Sequence, residues 1–125
     1  MINKVTLLGH LGKDPELGEA QNVKFAKLSI ATTENYKDTK GQWQKLTEWH
    51  NVLAWRALAD TCEKFLQKGS LAYIEGKLKT RQWTDNNGVK RYNTDIIAST
   101  IKLLDSRDKK DKELEKEDTS DLFPD

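Results

Sequence analysis

The chain has 125 residues, 33% of them charged and 36% apolar, with a mean hydropathy of −0.80, which allows one domain with a modest core and a short appendage. Its net charge of +1 combines two unlike parts: residues 105–125 hold nine acidic and five basic side chains, net −4, which leaves 16 basic and 11 acidic in residues 1–104, net +5. No apolar run approaches the roughly 20 residues of a membrane span, Met1 to Val5 place no charged region ahead of an apolar stretch as a secretory signal would, and a lone Cys62 excludes an internal disulfide framework and fits a reducing cytosol.

In chain order, Ile2 to Leu11 is apolar or alternating and reads as a first strand, broken by Asp14-Pro15. Val23 to Thr33 is a second, with Val23, Phe25 and Ser29 on one phase and Ala26, Leu28 and Ile30 on the other. Glu34 to Gly41 is polar and reads as a loop, in which Tyr36 is flanked by Lys37 and Lys40. Trp43 to Trp55 is a third strand, rich in residues that suit a pleated surface. From Ala57 to Lys68 the period changes: Leu58, Cys62, Phe65 and Leu66 fall on one face of a helix, with Gly69 as its stop. Period two returns at Leu71 to Trp83, Asp85-Asn86-Asn87-Gly88 is a turn, and Tyr92 to Leu103 is the last strand. The expected fold is all-β, a five-stranded OB-fold barrel with one helix between strands 3 and 4; on pattern alone, SH3-like barrels and other small α+β folds stay open. After Leu104 the apolar pattern stops, and residues 105–125 read as a disordered acidic tail.

Strand phase then sorts the aromatic and basic side chains. Trp43, Trp49 and Trp55 share a phase with Lys45 and Asn51, while Lys77, Lys79, Arg81 and Trp83 share one opposite Ile74, Gly76 and Leu78. A single tryptophan is more often a core residue than a ligand platform. Three cations in the same phase as Trp83 favour exposure there. Rings interleaved with cations suit unpaired nucleic acid, because every base offers a π-face for stacking and Lys or Arg neutralise phosphates. Duplex readout needs an element shaped for a groove, and the one helix, mixed in charge, has its apolar side committed.

These residues carry a resemblance. In its order of Gly12-Lys13-Asp14-Pro15-Glu16, Thr47-Glu48-Trp49-His50, Leu66-Gln67-Lys68-Gly69-Ser70, Ile74-Glu75-Gly76, Trp83-Thr84-Asp85 and Arg91-Tyr92, the chain resembles bacterial single-stranded DNA-binding proteins from about Ile2 to Leu104. The resemblance implies a homotetramer of OB folds that wraps and protects single-stranded DNA in replication, recombination and repair, in a bacterial or phage context, cytoplasmic and nucleoid-associated, with no cofactor. It places base stacking on Tyr36, Trp49, Trp55 and Trp83, where the best-known pattern has Trp at the first and Phe at the third. It places phosphate contacts on Lys4, Lys68, Lys79 and Arg81, and a subunit interface at His50; strand phase and location add Lys77, Arg56 and Trp43.

Residues 1–104 are thus expected to be the DNA-binding domain and residues 105–125 a tail that recruits replication and repair proteins through Asp121, Leu122, Phe123 and Pro124. The tail departs from the family pattern. About fifteen charged residues replace a long Gly-, Pro- or Gln-rich linker, and Phe-Pro-Asp stands where the family has a terminal Pro-Phe.

Three other readings are weighed against this one. An enzyme lacks support, since His10 and His50 are far apart, there is no phosphate loop or nucleophile elbow, and Cys62 sits on the apolar helix face. An OB-fold interaction module or primosome accessory would explain barrel and tail but not four aromatics at stacking positions. An RNA-binding OB protein stays open, because the 2′-hydroxyl contacts that separate RNA from DNA are not legible in sequence.

Overall fold

A computed structural model describes residues 1–104. The elements are β1 (Val5–Leu11), β2 (Glu16–Ala20), β3 (Val23–Lys37), β4 (Trp43–Trp55), α1 (Ala57–Phe65), β5 (Leu71–Thr84) and β6 (Lys90–Leu103). The sheet runs β1-β5-β6-β4-β3-β2, and β1 also pairs with β3 through His10↔Ala31 and Leu11↔Ile30. That extra pairing closes a barrel of five strands, β1, β3, β4, β6 and β5. One contact within it is parallel, between β4 and β6 at Val52↔Ile96; all others are antiparallel. Closure leaves no free strand edge in the barrel itself.

Alternation fills the inside. Leu7, Leu11, Ala26, Leu28, Ile30, Val52, Ala54, Ala72, Ile74, Ile96 and Ala98 point inward, and α1 caps the barrel with Ala59, Cys62 and Leu66. Burial pushes the Cys62 thiol up to about 11, so it behaves as a small apolar core residue. Outside, Lys24 Nζ ties β3 to the helix through Asp60 and Glu63 at 2.8 and 2.9 Å.

Several sequence expectations are corrected. The polar stretch after Thr33 is not a loop up to Gly41: β3 continues to Lys37, registered opposite Trp43. An unforeseen short strand, β2, pairs with β3 through a two-residue turn at Gln21 and Asn22, both with positive φ (52° and 66°). That is the geometry of a type I′ hairpin, for which Gln-Asn is a weak signal beside Asn-Gly. The helix ends at Phe65, three residues before Lys68. Leu66 turns extended to bury its side chain, and Gln67–Ser70 closes as a turn in which Ser70 Oγ accepts from Gln67 N–H and Ser70 N–H donates to Gln67 O. Phe65, expected on the apolar face, is exposed. The first strand begins at Val5 and the last at Lys90.

The other departure shapes the site. Beyond Gly76, β5 is exposed on both faces, Leu78 included, rather than half-buried. A bulge at Glu75/Gly76 shifts the β5–β6 register there. A Cβ on Gly76 would lie 2.4 Å from Ile97 O, so only glycine lets the two strands approach so closely at this point. From there Lys77–Thr84 and Lys90–Asp95 leave the barrel as a two-stranded ribbon. Thr33–Lys37 and Trp43–Thr47 form a second one.

The two ribbon tips are built alike. In one, Asp38 Oδ1 accepts from the N–H groups of Lys40 and Gln42, and Oδ2 from Gln44 Nε2. In the other, Asp85 Oδ1 accepts from Asn87 and Val89 N–H, and Oδ2 from Arg91 Nε. The spacings match, and so do Gly41 and Gly88, with φ of 76° and 78°. Backbone N–H bonds, from Gln42 and Val89 foremost, hold both carboxyls below the ordinary aspartate range. A lowered folded-state pKa contributes stability above the unfolded value and loses it as pH falls through the folded one. Acidification is therefore expected to loosen both tips together. Amide resonances of Lys40, Gln42, Asn87 and Val89 should titrate with midpoints below about 3.9, the ordinary aspartate value; midpoints at that value would contradict the capping role.

Candidate nucleic-acid interface

β4 is straight in register with β3 along its whole length, so its odd-numbered residues all leave the barrel on one face, opposite the buried Val52 and Ala54. Trp43, Trp49 and Trp55 stand six residues apart on that face, about 20 Å between neighbours at about 3.3 Å per residue. Trp43 is 68% exposed, Trp49 59% and Trp83 47%, while Trp55 is half-buried.

Each ring of the β4 row has a different support. Trp55 faces its register partner Phe25 with ring centroids 5.5 Å apart and a 58° tilt. Lys27 Nζ lies 5.8 Å from the centroid of Phe25. Trp49 rests on Gly12, where a Cβ would come within 2.4 Å of the indole. Lys37 Nζ sits 5.4 Å from the centroid of Trp43. Phe25 and Gly12 bear on the site through partners far along the chain, contacts that neither strand phase nor the Gly12-Lys13-Asp14-Pro15-Glu16 motif reveals.

Gly12 yields an expected result. Gly12→Ala puts a methyl where the far edge of the Trp49 ring lies, and a half-exposed ring can swing away at small cost to stability. Oligo-dT affinity should fall about as much as loss of part of one stacking contact, up to roughly 1 kcal/mol, with the melting temperature nearly unchanged. Full affinity in this variant would show that the floor under Trp49 is not needed.

Lys77, Lys79, Arg81 and Trp83 leave β5 on one phase, and across the ribbon they face Ile97, Asp95, Asn93 and Arg91. Barrel closure brings part of this row to the β4 row. A groove of about 320 Å3 is lined by Lys13, Lys27, Ser29 and Asn51 from one side and by Arg81, Asn93 and Asp95 from the other. Asn51 and Leu53 lie between Trp49 and Trp55 on β4, so the groove runs between those two rings. Arg81 Nη2 pairs with Asp95 Oδ2 at 2.9 Å inside it. Lys13 and Lys27 were not singled out by strand phase, since one lies in a loop and the other beside an ordinary alternating pattern.

Not every expected residue converges. Tyr36 is 48% exposed but pairs with Gln44, on the phase of Ile30, so it leaves its ribbon on the face opposite Trp49 and Trp43. Lys4 pairs with Glu75 at 3.5 Å and lines a separate depression with Asn3, Lys77 and Ser99. Lys68 is exposed, and its N–H donates to Asp14 Oδ1 at 2.8 Å beside Lys13. Arg56 is exposed at the start of α1 with φ 58° and ψ −120°, a conformation that costs a non-glycine residue about 1–3 kcal/mol. His50 is half-buried and shares a 2.8 Å hydrogen bond with Thr32 Oγ1. Asp121, Leu122, Phe123 and Pro124 lie outside the described residues. Among the described residues, no helix is long and apolar enough to cross a membrane, and no three His, Cys, Asp or Glu side chains gather as metal ligands.

A closed five-strand barrel with a capping helix, and ribbons that carry open aromatic rings beside lysines, defines an OB-fold protein of the kind that offers its strands to nucleic acid. Comparison with known proteins names the family. The single-strand binding protein family matches residues 2–104, and the chain belongs to that family. It is 46% identical over 109 residues to single-stranded DNA-binding protein 1 of Chlorobaculum tepidum, a match that spans 86% of this chain and 67% of the other. Among solved structures, it is similar to the Plasmodium falciparum SSB in complex with ssDNA, with a TM-score of 0.77 and 31% identity over 84% of this chain and 96% of that one. It is also similar to a deletion variant of the single-stranded DNA binding protein from Thermus aquaticus, with a TM-score of 0.73 and 28% identity over 85% of this chain and about half (52%) of that one.

Proposed function

We propose that this chain binds and protects single-stranded DNA without sequence preference, by stacking bases on exposed aromatics and neutralising phosphates with Lys and Arg. The observation that carries the reading is the groove lined by Lys13, Lys27, Asn51 and Arg81, which meets β4 between the positions of Trp49 and Trp55. Trp49, Trp55 and Trp83 stack on bases, with Tyr36 reached by a strand that passes to the reverse of its ribbon. Arg81 holds phosphate at the groove, helped by Lys13 and Lys27; Lys79, on the same phase of β5, Lys77, Lys4, Lys68 and Arg56 hold the strand where it continues around the barrel. The chemistry is binding without turnover, and the setting is replication, recombination and repair in the bacterial cytoplasm.

A homotetramer is part of the same reading. Its support is the outer face of β1 and β5, where exposed Leu8 stands opposite Tyr73, whose hydroxyl donates to Glu75 at 2.6 Å. His50 serves the interface between subunits. Residues 105–125, net −4, recruit replication and repair proteins through Asp121, Leu122, Phe123 and Pro124.

The test is intrinsic tryptophan fluorescence titrated with oligo-dT, oligo-rU and a matched duplex at low and high salt. Strong quenching by oligo-dT and little by duplex is expected, and tighter binding of oligo-rU than of oligo-dT would move the RNA-binding reading to the front. An equal response to duplex, or none to any of the three, would overturn the reading.

A further inference from the structure

Trp49, Trp55 and Trp83 each stand two residues along their strand from a residue that lines the groove, whereas Trp43 is eight residues from Asn51. It stands at the outer end of the β3–β4 ribbon, and of the four tryptophans it is the most open to solvent. The simplest reason for a ring there is structural, a cross-strand pair with Lys37 that steadies the hairpin. The other ribbon answers that explanation. Its tip uses the same aspartate bonds and the same positive-φ glycine, and the residue five after Asp85, equivalent to Trp43, is Lys90. An identical turn therefore forms with no aromatic at that place. Asp38 already satisfies the backbone N–H groups of the Trp43 turn without the indole.

The surroundings fit a ligand better. Trp43 continues the six-residue row of Trp55 and Trp49 on the outer face of β4. Lys45 follows it two residues later on the same phase, and Lys37 Nζ lies 5.4 Å from the ring centroid. A ring with one face near a lysine and a wide open edge is suited to receive a base while the ammonium takes the adjoining phosphate.

We infer that Trp43, with Lys37 and Lys45, forms an outboard stacking subsite that takes a base of unpaired DNA only when the strand is long enough to run past Trp49 along the ribbon. This rests on the function proposed above and deepens it. The subsite lengthens the binding track without touching the barrel, so it adds affinity for long strands and none for short ones.

The experiment uses the full chain with a ladder of oligo-dT lengths and with 5-bromodeoxyuridine oligomers for photocrosslinking, mapped by mass spectrometry. Trp43→Ala should weaken binding of the longer oligomers by about fivefold or more, leave the shortest bound oligomers at wild-type affinity, and keep the melting temperature. Trp43→Phe should restore most of the loss, and a crosslink to Trp43 should appear only with the longer oligomers. Wild-type affinity at every length with no crosslink at Trp43 would overturn the inference while leaving the function intact. So would a loss equal at all lengths accompanied by a lower melting temperature, which is the mark of a hairpin role. If the unmodified chain bound no oligo-dT at all, the functional reading itself would fall, and this subsite with it.

Discussion

The Trp49→Ala, Trp83→Ala double variant is expected to bind oligo-dT about 2–6 kcal/mol more weakly than the unmodified chain, at low salt and at unchanged oligomer mass. Each base stacked on an aromatic contributes about 1–3 kcal/mol. The two rings stand on different strands, Trp49 on β4 and Trp83 on β5, form no ring contact with each other, and should add. Neither is core: Trp49 leans on Gly12 and Trp83 faces Arg91 across its ribbon, so removal opens no cavity in the barrel and the melting temperature should hardly move. A double variant within a few tenths of a kcal/mol of the wild type would show that the exposed rings are not where bases sit, and an interaction module would become the better reading.

The second large effect concerns salt. Each phosphate neutralised on a single strand contributes about 0.7 to the slope of log affinity against log salt. Replacing Lys77, Lys79 and Arg81 together by Gln should flatten that slope by about 2. Between 50 and 200 mM salt the wild type should then lose roughly 20-fold more affinity than the variant. The single variants should not be equal. Arg81 is already paired with Asp95 at 2.9 Å, whereas Lys79 enters no ion pair among the described residues. Lys79→Gln should flatten the slope more than Arg81→Gln. Parallel salt lines for the triple variant and the wild type would place the phosphates elsewhere on the +5 body.

Each signal in the sequence has its own reach along the chain. Strand phase is local, so the common phase of Trp43, Trp49 and Trp55 was legible from alternation, whereas which phase of β3 and β4 meets the core was not. The same reasoning failed on β5 beyond Gly76. Lys77–Trp83 alternate with Leu78 as a half-buried strand would, yet the bulge and the close Gly76 contact carry the strand off the barrel, where both faces meet water. It failed again at Glu34–Lys37, whose polar residues read as a loop because ribbon strands need no apolar face. The Asp38 tip repeats the Asp85 tip residue for residue in its bonding. Only Asp85-Asn86-Asn87-Gly88 announced itself as a turn, since Asp38-Thr39-Lys40-Gly41 lacks the paired asparagines.

By itself, the sequence determined the fold class, the helix and its place before β5, the phase that sets Trp43, Trp49 and Trp55 together, and the family to which the chain belongs. Tertiary structure alone decided what those residues meet. Closure of β1 on β3 and of β4 on β6 brings Arg81 and Asn93 across from Ser29 and Asn51, slides Gly12 under Trp49, and sends Tyr36 to the far side of its ribbon. The reason is physical: alternation fixes which way a side chain leaves its own strand, whereas the neighbours it finds depend on register and curvature set by contacts between residues far apart in the chain.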